Sequence, residues 1–295
     1  LRGAGALFSW ECSALASSIP IPSVKCLPIG LKSLKTKIMI QQPYYMIDFS
    51  ASACLFEIRI NDYPVIHMNV EGQVATNIPI NFAILKSGVQ SVSATILPNI
   101  GDLQLHPKSE LKFNIKLFDV ANDFVFDQQF GDYRSEAIED KKKQVIKHVG
   151  SFKAEVPYQL SAWQNGRNLQ DIKDNRKKLE QAYDHISRLI RENKFEDYKK
   201  LISKREENMA ASMYLSKAES EERFTDLVKD FKSGFKIQPV SKDAVMFVCA
   251  ENKVAFLKKA NGESALYLEN PETEEELMLD ISFYIPEGKE EFEII

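Results

Sequence analysis

The chain has 295 residues, of which 44% are hydrophobic and 27% charged, with a net charge of −4. This describes a globular protein long enough for two units, each with its own core. Mild acidity without a basic stripe excludes a nucleic-acid binder, and no run approaches the ~18 apolar residues of a membrane span.

Residues 1–38 are expected to be a leader or disordered segment. They mix small residues, prolines and scattered apolar positions with almost no acids. A signal-peptide reading would use Arg2, the run 4–10 and Ala14-Leu15-Ala16 as a small-residue cleavage site. Glu11 interrupts that apolar core, so the expected location is cytoplasmic, with export as the alternative. Cys54 and Cys249 sit among apolar neighbours and are expected to be core thiols.

Residues 39–165 follow a pattern of short strands cut by turns. Positions 55–60 alternate apolar and polar, Asn61-Asp62 turns the chain into 63–69, and 78–85 closes on Lys86-Ser87-Gly88. Residues 89–97 are rich in Val, Ile and Thr, and 111–119 alternate cleanly. The pattern predicts an antiparallel β-sandwich. Residues 127–150 are expected to be a linker or insertion, and 152–160 an edge strand carrying Pro157.

Ile60-Asn61-Asp62, Ile80-Asn81 and Leu85-Lys86-Ser87-Gly88 resemble the strand and turn order of the β-sandwich and jelly-roll modules appended to glycosidases. The resemblance covers about 45 residues and implies a sandwich. Asn-Asp replaces the usual Asn-Gly turn, and Gln90 stands where Asn is usual, so a sugar site is not implied.

Residues 166–295 read as an α+β domain, with helices over 171–233 packed on an antiparallel sheet over 235–295. Leu169, Ile172, Arg176, Leu179, Tyr183, Ile186 and Ile190 form one helical stripe. A second helix is predicted over 195–214. A third opens on the capping box Ser216-Lys217-Ala218-Glu219 and closes at Gly234. Strands follow at 235–238, 244–250, 254–259, 264–269, 277–285 and 291–295. Asn261-Gly262 predicts a two-residue type I′ hairpin. In element order this part is similar to the NTF2-like family, which implies a curved sheet around a helical layer and a cone-shaped pocket.

The four histidines have no helical metal spacing, and no catalytic or nucleotide motif appears. No catalytic residue, metal ligand or cofactor is assigned. Arg205 and Glu206, with Tyr214 nearby, are candidates for an interfacial polar network; surface ion pairing is the plainer reading of that run. Trp163 is a candidate binding residue and a wedge between the two units. If the C-terminal part is NTF2-like, Tyr267, Asp280 and Tyr284 are its pocket candidates.

The expectation is a non-catalytic protein–protein interaction protein, an accessory or immunity-type partner that docks on another protein. The first alternative is small-molecule binding or isomerase-like chemistry in an NTF2-like pocket. The second is a secreted carbohydrate-binding protein.

Overall fold

Strand β1 (Pro43–Ile60) and strand β2 (Tyr63–Pro79) form the hairpin on which the N-terminal half is built. The computed structural model describes residues 40–139 and 143–295. The leader expected over 1–38 lies outside the described residues.

In β1 the alternating buried residues are Tyr45, Ile47, Phe49 and Ala51, then Cys54, Phe56, Ile58 and Ile60. The phase flips at Ala53, which has φ 45° and marks a bulge between Ser52 and Cys54. One extra residue turns the second half of the strand over, so both halves present apolar side chains to one core. The bulge also lets β1 serve two sets of neighbours. Its first half pairs with β4 (Glu110–Asp119) and its second with β3 (Gly88–Leu97).

Strand β5 (Val125–Arg134) adds to β4, and β6 (Ile146–Ala154) adds to β3. The six strands therefore belong to one curled antiparallel sheet, not to the two facing sheets of the expected sandwich. The stretch expected as a linker, 127–150, holds most of β5 and the start of β6, and it is β5 that the sequence hides. Its side chains are nearly all exposed, so no hydrophobic alternation marked it. The separate strands expected over 63–69 and 78–85 are not found: 63–69 and 78–79 are the two ends of β2, and 81–83 form a single helical turn.

Helix α1 (Asn175–Arg191) buries Leu179, Tyr183, Ile186 and Ile190, the stripe expected from the sequence. The helix expected over 195–214 breaks at Ile202 into α2 (Phe195–Leu201) and α3 (Ser203–Met213). Helix α4 (Lys217–Lys232) has its capping box in place: Glu219 N–H donates to Ser216 Oγ at 3.2 Å, and Ser216 N–H donates to Glu219 Oε2 at 2.7 Å. Gly234, at φ +95°, supplies the left-handed exit.

The remaining strands are short: β7 (Lys236–Ile237), β8 (Val245–Cys249), β9 (Val254–Lys258), β10 (Tyr267–Asn270), β11 (Glu275–Met278), β12 (Phe283–Tyr284) and β13 (Glu293–Ile294). They form two small antiparallel sheets, β11-β10-β7 and β13-β12-β9-β8. The α+β class stands, but one curved sheet around a helical layer is not what these strands build. Between them lies a filled core that includes Tyr183, Ile186, Leu266, Leu268 and Phe283.

The hairpin at Asn261-Gly262 is present with a different turn. Lys259 N–H donates to Glu263 O at 2.8 Å and Gly262 N–H to Lys259 O at 2.9 Å, closing a three-residue loop with Gly262 alone at positive φ, +88°. The two-residue positive-φ turn occurs instead at Asn61 (φ 52°) and Asp62 (φ 60°).

The halves meet through a third apolar cluster that includes Leu85, Leu160, Trp163, Cys249 and Val254. Trp163 stacks on Tyr63, with ring centroids 4.9 Å apart and planes 11° from parallel. Asn81, fully buried, clamps the same junction. Its Oδ1 accepts from Tyr45 N–H at 2.7 Å, and its Nδ2 donates to Pro43 O at 3.0 Å and to Ser212 O at 2.9 Å. Asp62 O and Oδ2 accept from Ala250 N–H and Glu251 N–H, at 3.1 and 2.9 Å.

Candidate functional site

A cleft of about 450 Å³ opens between the two halves. One wall is β2, whose residues 63–69 all line it and are all half-buried. Among the described residues β2 pairs only with β1, and no backbone hydrogen bond from outside that hairpin reaches residues 64–69. Alternate residues of an antiparallel edge strand direct their N–H and C=O away from the ladder. This edge directs them into a cleft.

The opposite wall comes from α3, α4 and the C-terminal strands. Asn208, Met209 and Met213 project from α3, Arg223 from α4, and Phe256 and Lys258 from β9. Tyr183 closes the floor. Its hydroxyl accepts from Leu257 N–H at 2.9 Å and donates to Ile281 O at 3.5 Å, and burial pushes its pKa far up, so it stays protonated. Met68, Met209, Met213 and Met278 all line the cleft, four of the chain's seven methionines. Their flexible thioethers suit a surface that adapts to its ligand.

Two polar centres flank this apolar path. On the β1–β2 hairpin, Glu57 and His67 are cross-strand partners, with His67 Nδ1 3.7 Å from Glu57 Oε2. Arg59 Nε donates to Glu57 Oε1 at 2.6 Å. Burial alone would raise the Glu57 carboxyl, but the neighbouring His67 and the hydrogen-bonded Arg59 guanidinium outweigh it and hold the group below its usual range. Gly262 comes up against this pair: a Cβ there would stand 2.9 Å from His67 Nε2.

The second centre lies where the cleft meets a smaller recess between α2, α3, α4 and residues 277–281. Arg205 Nη1 donates to Glu206 Oε1 at 2.6 Å, and Arg223 Nη2 lies 3.9 Å from Glu206 Oε2. All three side chains are half-buried. Arg223 Nε is buried without a hydrogen-bond partner.

Arg205 and Trp163 line the cleft, and Glu206 lies in the adjoining recess. Tyr214 is elsewhere. It ends α3 at φ 59° and donates its hydroxyl to Pro43 O at 2.9 Å, on the junction side. Asp280 lines the cleft but is exposed, 3.5 Å from Lys258 Nζ. Tyr267 lies under Lys259, whose Nζ is 3.6 Å from the ring centroid, and Tyr284 is buried in the junction cluster. The structure thus brings Arg205, Trp163 and Asp280 to one cleft and leaves Tyr214, Tyr267 and Tyr284 outside it. That cleft lies between the halves, not inside the C-terminal sheets.

Sequence reasoning passed over Glu57, His67 and Arg223. The Glu57–His67 pairing is hidden by a register shift between Ile58 and Arg59. Counting back from Ile60–Tyr63 with no bulge would set Glu57 opposite Ile66, one residue out of register. Cys249 is buried, and burial pushes its thiol up to about 12; Cys54 is likewise buried and pushed up to about 11. Neither is a ready nucleophile at neutral pH. Among the described residues, no three His, Cys, Asp or Glu gather as a metal-holding group, and no helix is long and apolar enough to cross a membrane.

Comparison with known proteins gives no match to a protein family, to a curated protein or to a solved structure.

Proposed function

We propose that the protein is a non-catalytic interaction protein that takes an extended segment of a partner polypeptide into the inter-unit cleft. The observation that carries this reading is the edge of β2, left unpaired by the described residues, lying along an apolar cleft wall. A strand edge satisfies its backbone groups by pairing, and an extended peptide supplies the matching row while its alternate side chains enter pockets. The methionine-rich opposite wall gives those side chains an adaptable surface. The carboxylates of the cleft that could move protons are tied into ion pairs, Glu57 with Arg59, Asp280 with Lys258, and Glu263 and Glu276 with Lys259. This supports binding over turnover.

The reading is tested by placing a photo-crosslinking benzophenone side chain at Met68 and at Met213, one on each wall, in the full chain expressed in its native cell. A third probe replaces Val89, which is 75% exposed on β3 and does not line the cleft. The expected result is a crosslink from both cleft positions to one contiguous stretch of one polypeptide, absent at 89. The same adducts at all three positions, or none at the two cleft positions, would contradict it.

A second reading, binding of a small amphipathic molecule, is favoured by the cleft volume, which lies within the range of small-ligand sites. Native mass spectrometry of the purified chain would reveal such a molecule as a fixed added mass, lost when Met213 is replaced by Trp to fill the cleft.

A further inference from the structure

We propose that Met68, Met209, Met213 and Met278 form an oxidative modification site, where a peroxide converts the thioethers of the cleft to sulfoxides and loosens its hold on an apolar occupant. The inference rests on the cleft being the binding site and names how that site is regulated. The four residues come from three elements on both walls. Met68 lies on β2, Met209 and Met213 stand one turn apart on the same face of α3, and Met278 ends β11. Each is half-buried and lines the cleft, so a small oxidant entering it meets all four.

Among the described residues the competing thiols are withdrawn. Cys54 and Cys249 are buried, which keeps both protonated, and a covered, un-ionised thiol is a poor target for peroxide. Met46 and Met246 are half-buried as well but line no part of the cleft, so their oxidation leaves its walls as they are.

The reaction is a two-electron oxygen transfer. A thioether lone pair attacks one oxygen of hydrogen peroxide, the O–O bond breaks and an S–O bond forms. The proton left on the new oxygen passes to the departing hydroxide, giving water. Sulfur is oxidised, peroxide is reduced, and nothing further is consumed. The product replaces a flexible apolar side chain with a polar, chiral one. An apolar group seated between the walls then covers S–O dipoles that it cannot pair, and burying an unpaired polar group opposes binding. Thiol-dependent methionine sulfoxide reductases return the thioether, so the change is reversible.

The test uses the full purified chain, hydrogen peroxide as oxidant and anilinonaphthalene sulfonate as a fluorescent apolar probe. The part of the fluorescence that Met213→Trp abolishes reports the cleft. Mass spectrometry of proteolytic fragments follows each methionine. The expected result is sulfoxide at all four positions of the folded chain. Probe binding should weaken about tenfold or more, the effect of one unpaired polar group, and the reductases should restore it. Bound probe should slow oxidation of the four severalfold and leave Met46 and Met246 unchanged. A chain combining Met68→Leu, Met209→Leu, Met213→Leu and Met278→Leu nearly conserves volume. It should bind the probe as the native chain does and lose all response to peroxide. The reversal and the protection are read on the native chain, so they decide even if the fourfold variant does not fold.

Resistance of the four to peroxide, unchanged probe binding once they are oxidised, or a peroxide effect that persists in the fourfold variant would each overturn the proposal. So would equal protection at all the described methionines, or the absence of any fluorescence that Met213→Trp removes. Crosslinks at Met68 and Met213 with peroxide-insensitive probe binding would remove this inference alone. Peroxide-sensitive probe binding without those crosslinks would remove the polypeptide reading alone.

Discussion

In the N-terminal half, β1 and β2 run 18 and 17 residues and bring four further strands into one sheet. In the C-terminal half no strand exceeds five residues, and seven strands divide between two small sheets held by helices. The first half gets its shape from one continuous ladder, bent at a bulge. The second gets its shape from side chains: Leu179, Tyr183, Ile186 and Phe283 fill a core that the short ladders could not organise alone. The difference decides what each half offers at the cleft. The long ladder ends in an open backbone edge, and the helical half supplies side chains, chiefly methionines and arginines. A cleft with backbone on one wall and adaptable side chains on the other is suited to an extended chain.

The junction tests whether the halves depend on each other, and Trp163→Ala should have the largest effect. It empties a nearly buried indole stacked on Tyr63, and removal of a buried Trp costs about 3–5 kcal/mol. Urea unfolding followed by far-UV circular dichroism should show that loss. If the halves are mutually dependent, the transition stays single; if only one leans on the junction, it splits in two.

Asn81→Ala comes next. It leaves Tyr45 N–H and the carbonyls of Pro43 and Ser212 without their shared partner, a loss of about 2–3 kcal/mol for buried groups. Asn81→Asp keeps the acceptor toward Tyr45 but loses both donated bonds, so it should not rescue the stability.

Gly262→Ala is expected to cost about 1–3 kcal/mol, from a positive φ that disfavours a side chain. Its new Cβ also presses on His67 Nε2. Because His67 pairs with Glu57, the substitution should shift the His67 ring resonances as well as the unfolding midpoint. An effect on stability with unmoved His67 signals would show that the turn and the hairpin are not in contact.

Glu57 gives the smallest effect at neutral pH and a clear one in acid. Its folded carboxyl is lowered, so its contribution is complete above the ordinary glutamate range and lost as pH falls through the lowered folded value. Glu57→Gln should therefore flatten the acid side of the stability–pH profile. An unchanged acid limb would place Glu57 outside the ion pairs described.

Much of the helical half was legible because its signals are local. The α1 stripe, the Ser216 capping box and the Gly234 exit each depend on residues within a turn or two of one another. The sheet was less legible because its shape depends on where one residue is inserted. Ala53 looks like any small residue in the run Ser50-Ala51-Ser52-Ala53, yet its bulge turns what reads as two sheets into one. Strand β5 escaped because neither of its faces is buried. Of the candidate site, the polar run at Arg205 and Glu206 stood out in the sequence, but Arg223 lies on the next helix and Glu57 and His67 face each other only across a bulged register. By sequence alone Tyr267 and Tyr284 fit a pocket inside the C-terminal sheet. One rests beneath Lys259 and the other is buried at the junction.

The central claim is that the open edge of β2 receives an extended chain. The most direct test is amide hydrogen exchange of the full protein with and without a synthetic peptide spanning the crosslinked stretch. The account predicts that the outward-facing amides among residues 64–69 slow markedly on binding, while those of the β5 edge are unchanged. Tight peptide binding with unaltered exchange along β2 would contradict it.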